Sequence, residues 1–174
     1  DGSDGNTLLL KSNTSDYTGG TRIYQGRLEL GTNNALPTSG VLTIGGKGAS
    51  RFYMNGFDQE IAGLAIAGNN TRSIDNASTT DSTLTITVAE GETYSYDANF
   101  DDRFGGSTSG NINIVKQGAG TQNIPKKGIT ALHGTVTVTG GTLSFGENAG
   151  ALTLSGITVT GTNSVLSLNA SSAS

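Results

Sequence analysis

The sequence contains no cysteine and no tryptophan, and it has only one histidine and two prolines among 174 residues. The absence of cysteine excludes a disulfide scaffold, a cysteine-based zinc site and a thiol nucleophile. A single histidine leaves little scope for imidazole chemistry. Charged residues make up 14% of the chain, against about 25% in ordinary domains. The highly charged composition that is typical of intrinsic disorder is therefore absent.

A formal net charge of −4 and a pI near 4.8 disfavour a strongly basic surface. Nucleic acids and anionic membranes both need such a surface, so we expect neither as a partner. No stretch approaches the ~18 uninterrupted apolar residues of a membrane span. No apolar signal region follows a basic start. We expect no membrane insertion by this segment, and either a mature secreted form or a fragment of a longer chain.

Small and polar residues dominate what is present. Glycine occurs 27 times, threonine 25, serine 18 and asparagine 15, which together is 85 residues, or about half of the chain. These residue types are all mediocre or poor helix formers, and such a mixture loses several kcal/mol over any window of about 15 residues. The composition therefore predicts a chain of strands and turns.

Apolar residues alternate with threonine or serine along the whole chain, which is the pattern of half-buried strands. We predict more than a dozen strands of about four to six residues each. The clearest of them cover residues 41–44, 83–88, 135–138, 142–145, 151–154 and 164–168.

The turns between these strands favour a solenoid of stacked parallel strands over an antiparallel sandwich. Only Asp1-Gly2, Asp4-Gly5 and Asn55-Gly56 are typical two-residue hairpin turns. Most other strand ends carry a lone glycine or Gly-Gly, which suits sharp corners. An aromatic content of 6% also fits a narrow core, and threonine and asparagine could form polar ladders from turn to turn outside it. At roughly 20–25 residues per turn the chain would make seven or eight turns.

We interpret residues 1–174 as a single solenoid domain, because their number fits the roughly 100–200 residues of one domain. Two polar stretches lack the strand alternation. We expect them to protrude as loops near residues 68–82 and 99–110.

Three segments together resemble the autotransporter-associated β-strand repeat of bacterial passenger domains. They are DYTGGTRIYQGRLELG at residues 16–31, NGFDQEIAGL at 55–64 and VKQGAGTQ at 115–122. The resemblance implies a single-stranded, right-handed parallel β-helix on a secreted or surface-displayed protein. It covers roughly residues 7–124, and after Thr121 the sequence IPKKGITALHG replaces the expected YTGGT turn.

Polysaccharide lyases and hydrolases also use parallel β-helices, with Asp, or Asp with Lys and Arg, on one face. The strongest candidate cluster is Asp101-Asp102-Arg103. Neighbouring residues of a strand point to opposite faces, so the two carboxylates could converge only from a loop. We interpret this cluster as a solvated loop. The other acids show no repeated spacing that would stack them on one sheet: Asp58, Glu60, Asp75, Asp81, Glu90, Glu92 and Asp97.

Other candidate sites are weaker. We interpret His133 as a surface or half-buried packing residue. Residues 1–6 (DGSDGN) faintly resemble an acidic calcium loop but lack its Asp spacing and its distal Glu. Nine of the ten aromatic residues lie before residue 105, where we expect core or corner packing rather than a row that holds sugars. We predict no catalytic, cofactor-binding or metal-binding residue.

The sequence thus predicts a non-catalytic structural or adhesive module, located extracellularly or on a bacterial cell surface. Strands at residues 7–10 and 164–168 lie near the two ends without a charged capping helix, so copies could stack end to end into a filament. The alternative is a glycan-binding adhesin or a polysaccharide-degrading enzyme on the same fold. The expected partners are further copies of the chain, or glycans of the cell surface or extracellular matrix.

Overall fold

A computed structural model describes residues 6–102, 110–125, 132–146 and 153–169. Over these residues the protein is all-β, and its parallel strands stack into a β-solenoid of about six turns. This confirms the predicted solenoid, and the number of turns is close to the seven or eight expected.

The strands are short, as the spacing of the glycines predicts. In chain order they are β1 (Thr7–Leu10), β2 (Thr21–Ile23), β3 (Gly26–Leu30), β4 (Val41–Ile44), β5 (Ser50–Tyr53), β6 (Gln59–Ile61), β7 (Gly63–Ile66), β8 (Arg72–Asp75), β9 (Ser82–Thr87), β10 (Thr93–Ser95), β11 (Asn99–Asp101), β12 (Ile112–Gln117), β13 (Thr121–Ile124), β14 (Thr135–Val138), β15 (Thr142–Phe145), β16 (Gly156–Val159) and β17 (Val165–Leu168).

The strands form four parallel ladders. Sheet A has the order β1-β3-β5-β8-β11, sheet B β2-β4-β7, sheet C β6-β9-β12-β14-β16, and sheet D β10-β13-β15-β17. From β5 to β13 the chain visits sheet A, sheet C and then sheet B or D in each turn. Strand β10 packs against β7, where the Tyr94 ring fills the space beside Gly63. Sheet D therefore continues the face that sheet B begins.

The core consists of apolar side chains stacked from turn to turn. In sheet A, Leu28, Phe52, Ile74 and Phe100 occupy one inward position of four successive strands, and all are buried. Alternate residues of each strand point outward, which is the period of two expected for a strand with one buried face. The narrow interior is thus filled by columns of like residues about 4.8 Å apart.

Glycine at the corners permits both a backbone conformation and a close approach that other residues cannot make. Gly118 has φ of +70°, and a Cβ atom built on it would lie 2.2 Å from the carbonyl oxygen of Val88 in the preceding turn. Both facts favour glycine, which tolerates positive φ and has no side chain.

The predicted loop at residues 68–82 is wrong for its central part, although residues 68–71 and 77–81 on either side are not strand and are mostly exposed. This segment contains β8, whose four residues are all buried, and Ile74 lies in the core. Arg72 and Asn76 are polar, and therefore favoured a loop prediction, but both side chains point inward. They form hydrogen bonds with backbone groups inside the solenoid. At residues 99–110 the structure contains β11, and residues 103–109 lie outside the described ranges.

Polar bonds do connect successive turns, but they differ from the predicted ladders of like side chains. Asn and Asp side chains at the corner before sheet C, or near the start of a sheet C strand, accept hydrogen bonds from backbone N–H groups of the next turn. The pairs are Asn34 with Glu60 at 2.9 Å, Asp58 with Thr83 at 2.7 Å, Asp81 with Asn111 at 2.7 Å and Asn113 with Thr135 at 2.8 Å. These bonds satisfy backbone donors that would otherwise lack a partner at the start of each strand.

Candidate functional site

The outer face of sheet A carries a concentration of ionisable side chains. They form two columns in register across β3, β5, β8 and β11. We call this set the sheet A outer cluster: Arg27, Arg51 and Ser73 in one column, and Glu29, Tyr53, Asp75 and Asp101 in the other.

Two of the acids that the sequence analysis treated as scattered or loop-bound therefore do stack on one sheet. Asp75 pairs directly with Asp101 between β8 and β11. Glu29, Tyr53 and Asp75 occupy the same position on the preceding strands. The turns differ in length, with 24, 22 and 26 residues between successive members of the column. A search for one fixed spacing therefore missed the column.

Several side chains of the sheet A outer cluster interact with one another. Arg27 forms an ion pair with Glu29 at 3.4 Å, and Asn55 donates to the other carboxylate oxygen of Glu29 at 3.5 Å. The Arg27 guanidinium lies 4.4 Å from the centre of the Tyr53 ring, within the range of a cation–π interaction. Arg51 donates to the Tyr53 hydroxyl at 3.4 Å.

Asp75 is the most deeply buried member of the cluster, with 1% of its surface exposed. Burial raises the pKa of Asp75 from 3.8 to about 7, because the desolvated carboxylate is disfavoured. A hydrogen bond from the Ser73 hydroxyl at 2.8 Å and the charge of Arg51 act in the opposite direction, and the charge of Asp101 adds to the rise. Near neutral pH this carboxyl is therefore about half protonated.

Asp101 and Asp102 point to opposite sides of the sheet, as the alternation of strand side chains predicts. The interpretation of this pair as a solvated loop is wrong for Asp102, which has no exposed surface. Its carboxylate accepts hydrogen bonds from the backbone N–H groups of Ile112 and His133 and contacts Nδ1 of His133 at 2.7 Å. A residue that faces the interior in this way does not reach a ligand on the surface. Arg103 lies outside the described residues.

His133 is half-buried, in agreement with the surface or half-buried placement expected for it. The partner that the sequence did not reveal is Asp102, 31 positions earlier. The two residues connect the turn that contains β11 with the chain leading into β14.

Two cations occupy inward positions that the sequence analysis did not single out. Lys116 lies between Ile86 and Val138 in the core column of sheet C. Its ammonium group donates to the carbonyl oxygens of Gln117 at 2.6 Å, Gly118 at 2.9 Å and Gly140 at 3.1 Å. Burial lowers the pKa of Lys116 to about 8. The ammonium group thus binds carbonyls at the glycine corners of two adjacent turns.

Arg72 plays the same part at another corner. Its guanidinium donates to the carbonyl oxygens of Ala67, Gly68 and Asp97, which also belong to two adjacent turns. A buried cation is stable only when such partners are supplied. The signal in the sequence exists for Lys116, which continues the alternation of Ile112 and Ile114, whereas Arg72 lies in a polar stretch without such a pattern.

Two buried glutamine side-chain amides each form a pair of hydrogen bonds with one backbone residue, as the backbone of a neighbouring strand would. The Gln59 amide accepts from Leu36 N at 3.0 Å and donates to Leu36 O at 3.1 Å. The Gln122 amide makes the same pair of bonds to Leu64, at 3.0 and 2.9 Å. Gln122 bridges from β13 to β7, where the direct ladder between β7 and β10 is interrupted.

The aromatic residues mostly pack in the core and at corners, which confirms the prediction for them. Phe52, Tyr96, Phe100 and Phe145 are buried, and the Tyr94 ring lies on Gly63. Tyr17 and Tyr24 are exposed. Residues 1–5, which include most of the candidate calcium loop, lie outside the described residues, as does Phe104. Within the described ranges no group of three or more His, Asp or Glu side chains could hold a metal ion.

The two end rungs, β1 with β2 and β16 with β17, are the second candidate site. Four of their inward-facing apolar side chains are exposed, Leu8 by 59%, Ile157 by 48%, Val159 by 45% and Leu168 by 49%, whereas Ile23 of β2 is buried. Residues at the same inward positions of interior turns are buried. No charged residue occurs in residues 153–169, and none in β1.

Comparisons of the chain with protein-family models, with curated proteins and with solved structures find no match. The resemblance to the autotransporter-associated repeat therefore stays a prediction. In the part of the chain that the structure describes, no helix has the length and apolar character needed to cross a membrane.

Proposed function

We propose that the chain is a non-catalytic structural and adhesive module whose solenoid is extended at its end rungs by further parallel strands, including those of a second copy. The observation that carries this proposal is the exposure of core-facing apolar side chains on both end rungs. Their equivalents in interior turns are covered by the next turn of the solenoid.

The unprotected edges support the proposal. Natural proteins guard exposed strand edges with charges, proline, bulges or covering segments. Strands β1, β16 and β17 contain neither a charged residue nor a proline, whereas β2 contains the exposed Arg22 on its outward side. These edges lie at the two ends of the solenoid, β1 in sheet A at one end and β16 and β17 in sheets C and D at the other.

A head-to-tail arrangement is compatible with the order of the sheets. Translation of one copy along the solenoid axis keeps all strands parallel, and it places β17 of one copy beside β2 of the next, because sheets B and D form one face. Leu166 and Leu168 would then lie beside Thr21 and Ile23, in the same parallel register in which they lie beside Leu143 and Phe145 within the chain.

The apolar contribution to such pairing is modest. Full burial of a Leu, Ile or Val side chain is worth about 1.5–3 kcal/mol, so four half-exposed side chains supply on the order of 4 kcal/mol. Backbone hydrogen bonds add to this, and the cost of association opposes it. We therefore expect association that depends on protein concentration rather than an obligate oligomer.

Sedimentation velocity over a concentration series tests this proposal with a matched pair of variants. Leu168→Lys places a charge on the inward side of β17, where pairing would bury it without a partner. Val165→Lys places the same charge on the outward side of the same strand, from an equally exposed residue. We expect wild type and Val165→Lys to associate with increasing concentration, and Leu168→Lys to stay monomeric.

Two outcomes would contradict end-rung pairing. One is wild-type protein that stays monomeric at millimolar concentration. The other is equal association of the Leu168→Lys and Val165→Lys variants.

The extracellular or bacterial-surface location is a proposal that rests on the resemblance carried by residues 16–31, 55–64 and 115–122. Antibody labelling of intact cells that express the natural protein tests it. Labelling that requires permeabilised cells would contradict it.

A further inference from the structure

We propose that the outer face of sheet C binds ice through rows of threonine side chains. This inference goes beyond the proposed function and does not depend on end-rung pairing, because the face lies along the side of the solenoid. The ligand is an ordered water lattice rather than a macromolecule.

The first observation is a regular array of threonine on this face. The outward residues of β9, β12, β14 and β16 form three columns in register. Together with the residue directly after β14 and the one after β16, they include eight threonines: Thr83, Thr85, Thr87, Thr135, Thr137, Thr139, Thr158 and Thr160. The outward residues of β12 are instead Asn113, Val115 and Gln117. The array is thus one row on β9 and an adjoining pair of rows on β14 and β16.

The second observation is that the face is accessible. Thr135, Thr139, Thr158 and Thr160 are exposed, and Thr137 and the threonines of β9 are half-buried. By contrast, the outward residues of the middle turns of sheet A are almost completely buried. A flat ligand can therefore contact several strands of sheet C at once.

The third observation is the spacing of the array. Neighbouring parallel strands lie about 4.8 Å apart, and alternate residues of one strand lie about 6.6 Å apart. Threonine branches at Cβ and is stiff at χ1, so its methyl and hydroxyl groups keep fixed positions on this lattice. Oxygen atoms on the faces of hexagonal ice also repeat in two directions at spacings close to these. Successive threonines can therefore meet equivalent positions of an ice surface.

The chemistry of these side chains fits water in a lattice. Each hydroxyl donates one hydrogen bond and accepts others, as a water molecule does, and each methyl group orders the water beside it. No charged side chain lies on the outer side of β9, β12, β14 or β16, since Lys116 points inward. Ice cannot solvate a charge as liquid water does, so an uncharged face favours its binding.

The same face lacks the groups that favour a protein partner. Protein interfaces are enriched in aromatic residues and arginine, and the outer sides of these four strands carry neither. Flexible polymers have no fixed two-dimensional repeat that an ordered array could match. A crystal surface has such a repeat, and ice matches the hydroxyl and methyl groups in chemistry as well as in spacing.

Growth of ice on a cooled probe in a dilute solution of the protein tests the proposal. Ordinary solutes are excluded from slowly growing ice, so the ratio of protein in the ice to protein in the remaining liquid measures binding. We expect the wild-type chain to be enriched in the ice. Thr137→Lys places a long charged side chain in the array and should abolish the enrichment.

Thr142→Lys is the matched control, because Thr142 is also a half-buried outward threonine but lies on β15 in sheet D. We expect this variant to be enriched in the ice as wild type is. Far-UV circular dichroism shows whether each variant is folded. Thr158→Lys, at an exposed position of the array, decides the matter if Thr137→Lys does not fold.

Exclusion of the wild-type chain from the ice would overturn the proposal. If the excluded protein bound microcrystalline cellulose and Thr137→Lys abolished that binding, the face would belong to a crystalline polysaccharide instead. Equal enrichment of Thr142→Lys and the folded array variants would also overturn the proposal, because the threonine rows would then play no part.

Discussion

Replacement of Asp75 by Asn should stabilise the protein at neutral and basic pH and leave it unchanged in acid. The carboxyl is 1% exposed, and burial raises its pKa from 3.8 to about 7. Below about pH 4 the group is protonated in both the folded and the unfolded chain, so it makes no pH-dependent contribution there. Between pH 4 and 7 only the unfolded chain loses its proton, which favours unfolding as pH rises.

The size of this effect follows from the difference in pKa. One pH unit of difference in pKa corresponds to about 1.4 kcal/mol, so a difference of about 3 units gives up to about 4 kcal/mol above pH 7. Relaxation around the charge would reduce this value, and we expect a gain of roughly 2–4 kcal/mol for Asp75→Asn at pH 8. The Asn side chain can still accept the hydrogen bond from Ser73.

Urea unfolding at pH 4, 5, 6, 7 and 8 measures this gain as the difference in the free energy of unfolding between the variant and wild type. The titration of all other groups cancels in this difference. Asp97→Asn is the control, because Asp97 is exposed, and we expect its unfolding midpoint to follow that of wild type at every pH. A difference between Asp75→Asn and wild type that is constant from pH 4 to 8 would refute the reasoning. A variant that is less stable than wild type at pH 8 would refute it as well.

Three further predictions concern stability and are checked by urea or thermal unfolding. Gln122→Leu should lower the free energy of unfolding by about 2–4 kcal/mol, because the buried backbone N–H and C=O groups of Leu64 would lose their hydrogen bonds to the Gln122 amide. We expect this loss although leucine occupies the same position in β15 and β17. An unfolding midpoint equal to or higher than that of wild type would contradict the prediction. Asp102→Asn should lose about 3 kcal/mol by breaking the buried contact with His133, and a change below 0.5 kcal/mol, as expected for surface substitutions, would show that the contact is not stabilising. The third prediction is a graded series of glycine substitutions. Gly19→Ala should be nearly neutral, Gly91→Ala should cost about 1–2 kcal/mol because of its positive φ, and Gly118→Ala should cost a further 1–3 kcal/mol because its Cβ would clash with the preceding turn. Equal losses of stability at all three positions would contradict this account of the glycine corners.

Much of the fold could be predicted from local pattern. Strands such as β9, β14 and β15 alternate strictly between apolar residues and Thr or Ser, and each one-residue step moves a side chain to the other face. The scarcity of hairpin turns then favoured parallel stacking. These features depend only on neighbouring residues, which is why the sequence reveals them.

The polar interior could not be predicted in the same way. Arg72, Asn76 and Asp102 read as loop residues because charged and amide side chains are rarely buried without partners. Their partners are backbone groups and a histidine from other turns, at separations of up to 35 residues. Such pairings depend on which turns lie side by side.

The sheet A outer cluster was missed for a related reason. Its columns form only when turns of 22, 24 and 26 residues are aligned by the core. Phe52 and Ile74 set that alignment from the inside, and the outward residues follow. A candidate site made of residues from four turns is visible only after the register is known.

The mass per unit length of the assembly formed by the isolated chain, measured by scanning transmission electron microscopy, tests end-rung pairing most directly. About six turns at ~4.8 Å per turn give an axial height of ~30 Å. One copy of 17.6 kDa at each such interval predicts single-width rods of ~0.6 kDa per Å. Rods of twice that value or more would mean lateral association through the sheet faces, and particles of a single fixed length would mean that the end rungs do not pair.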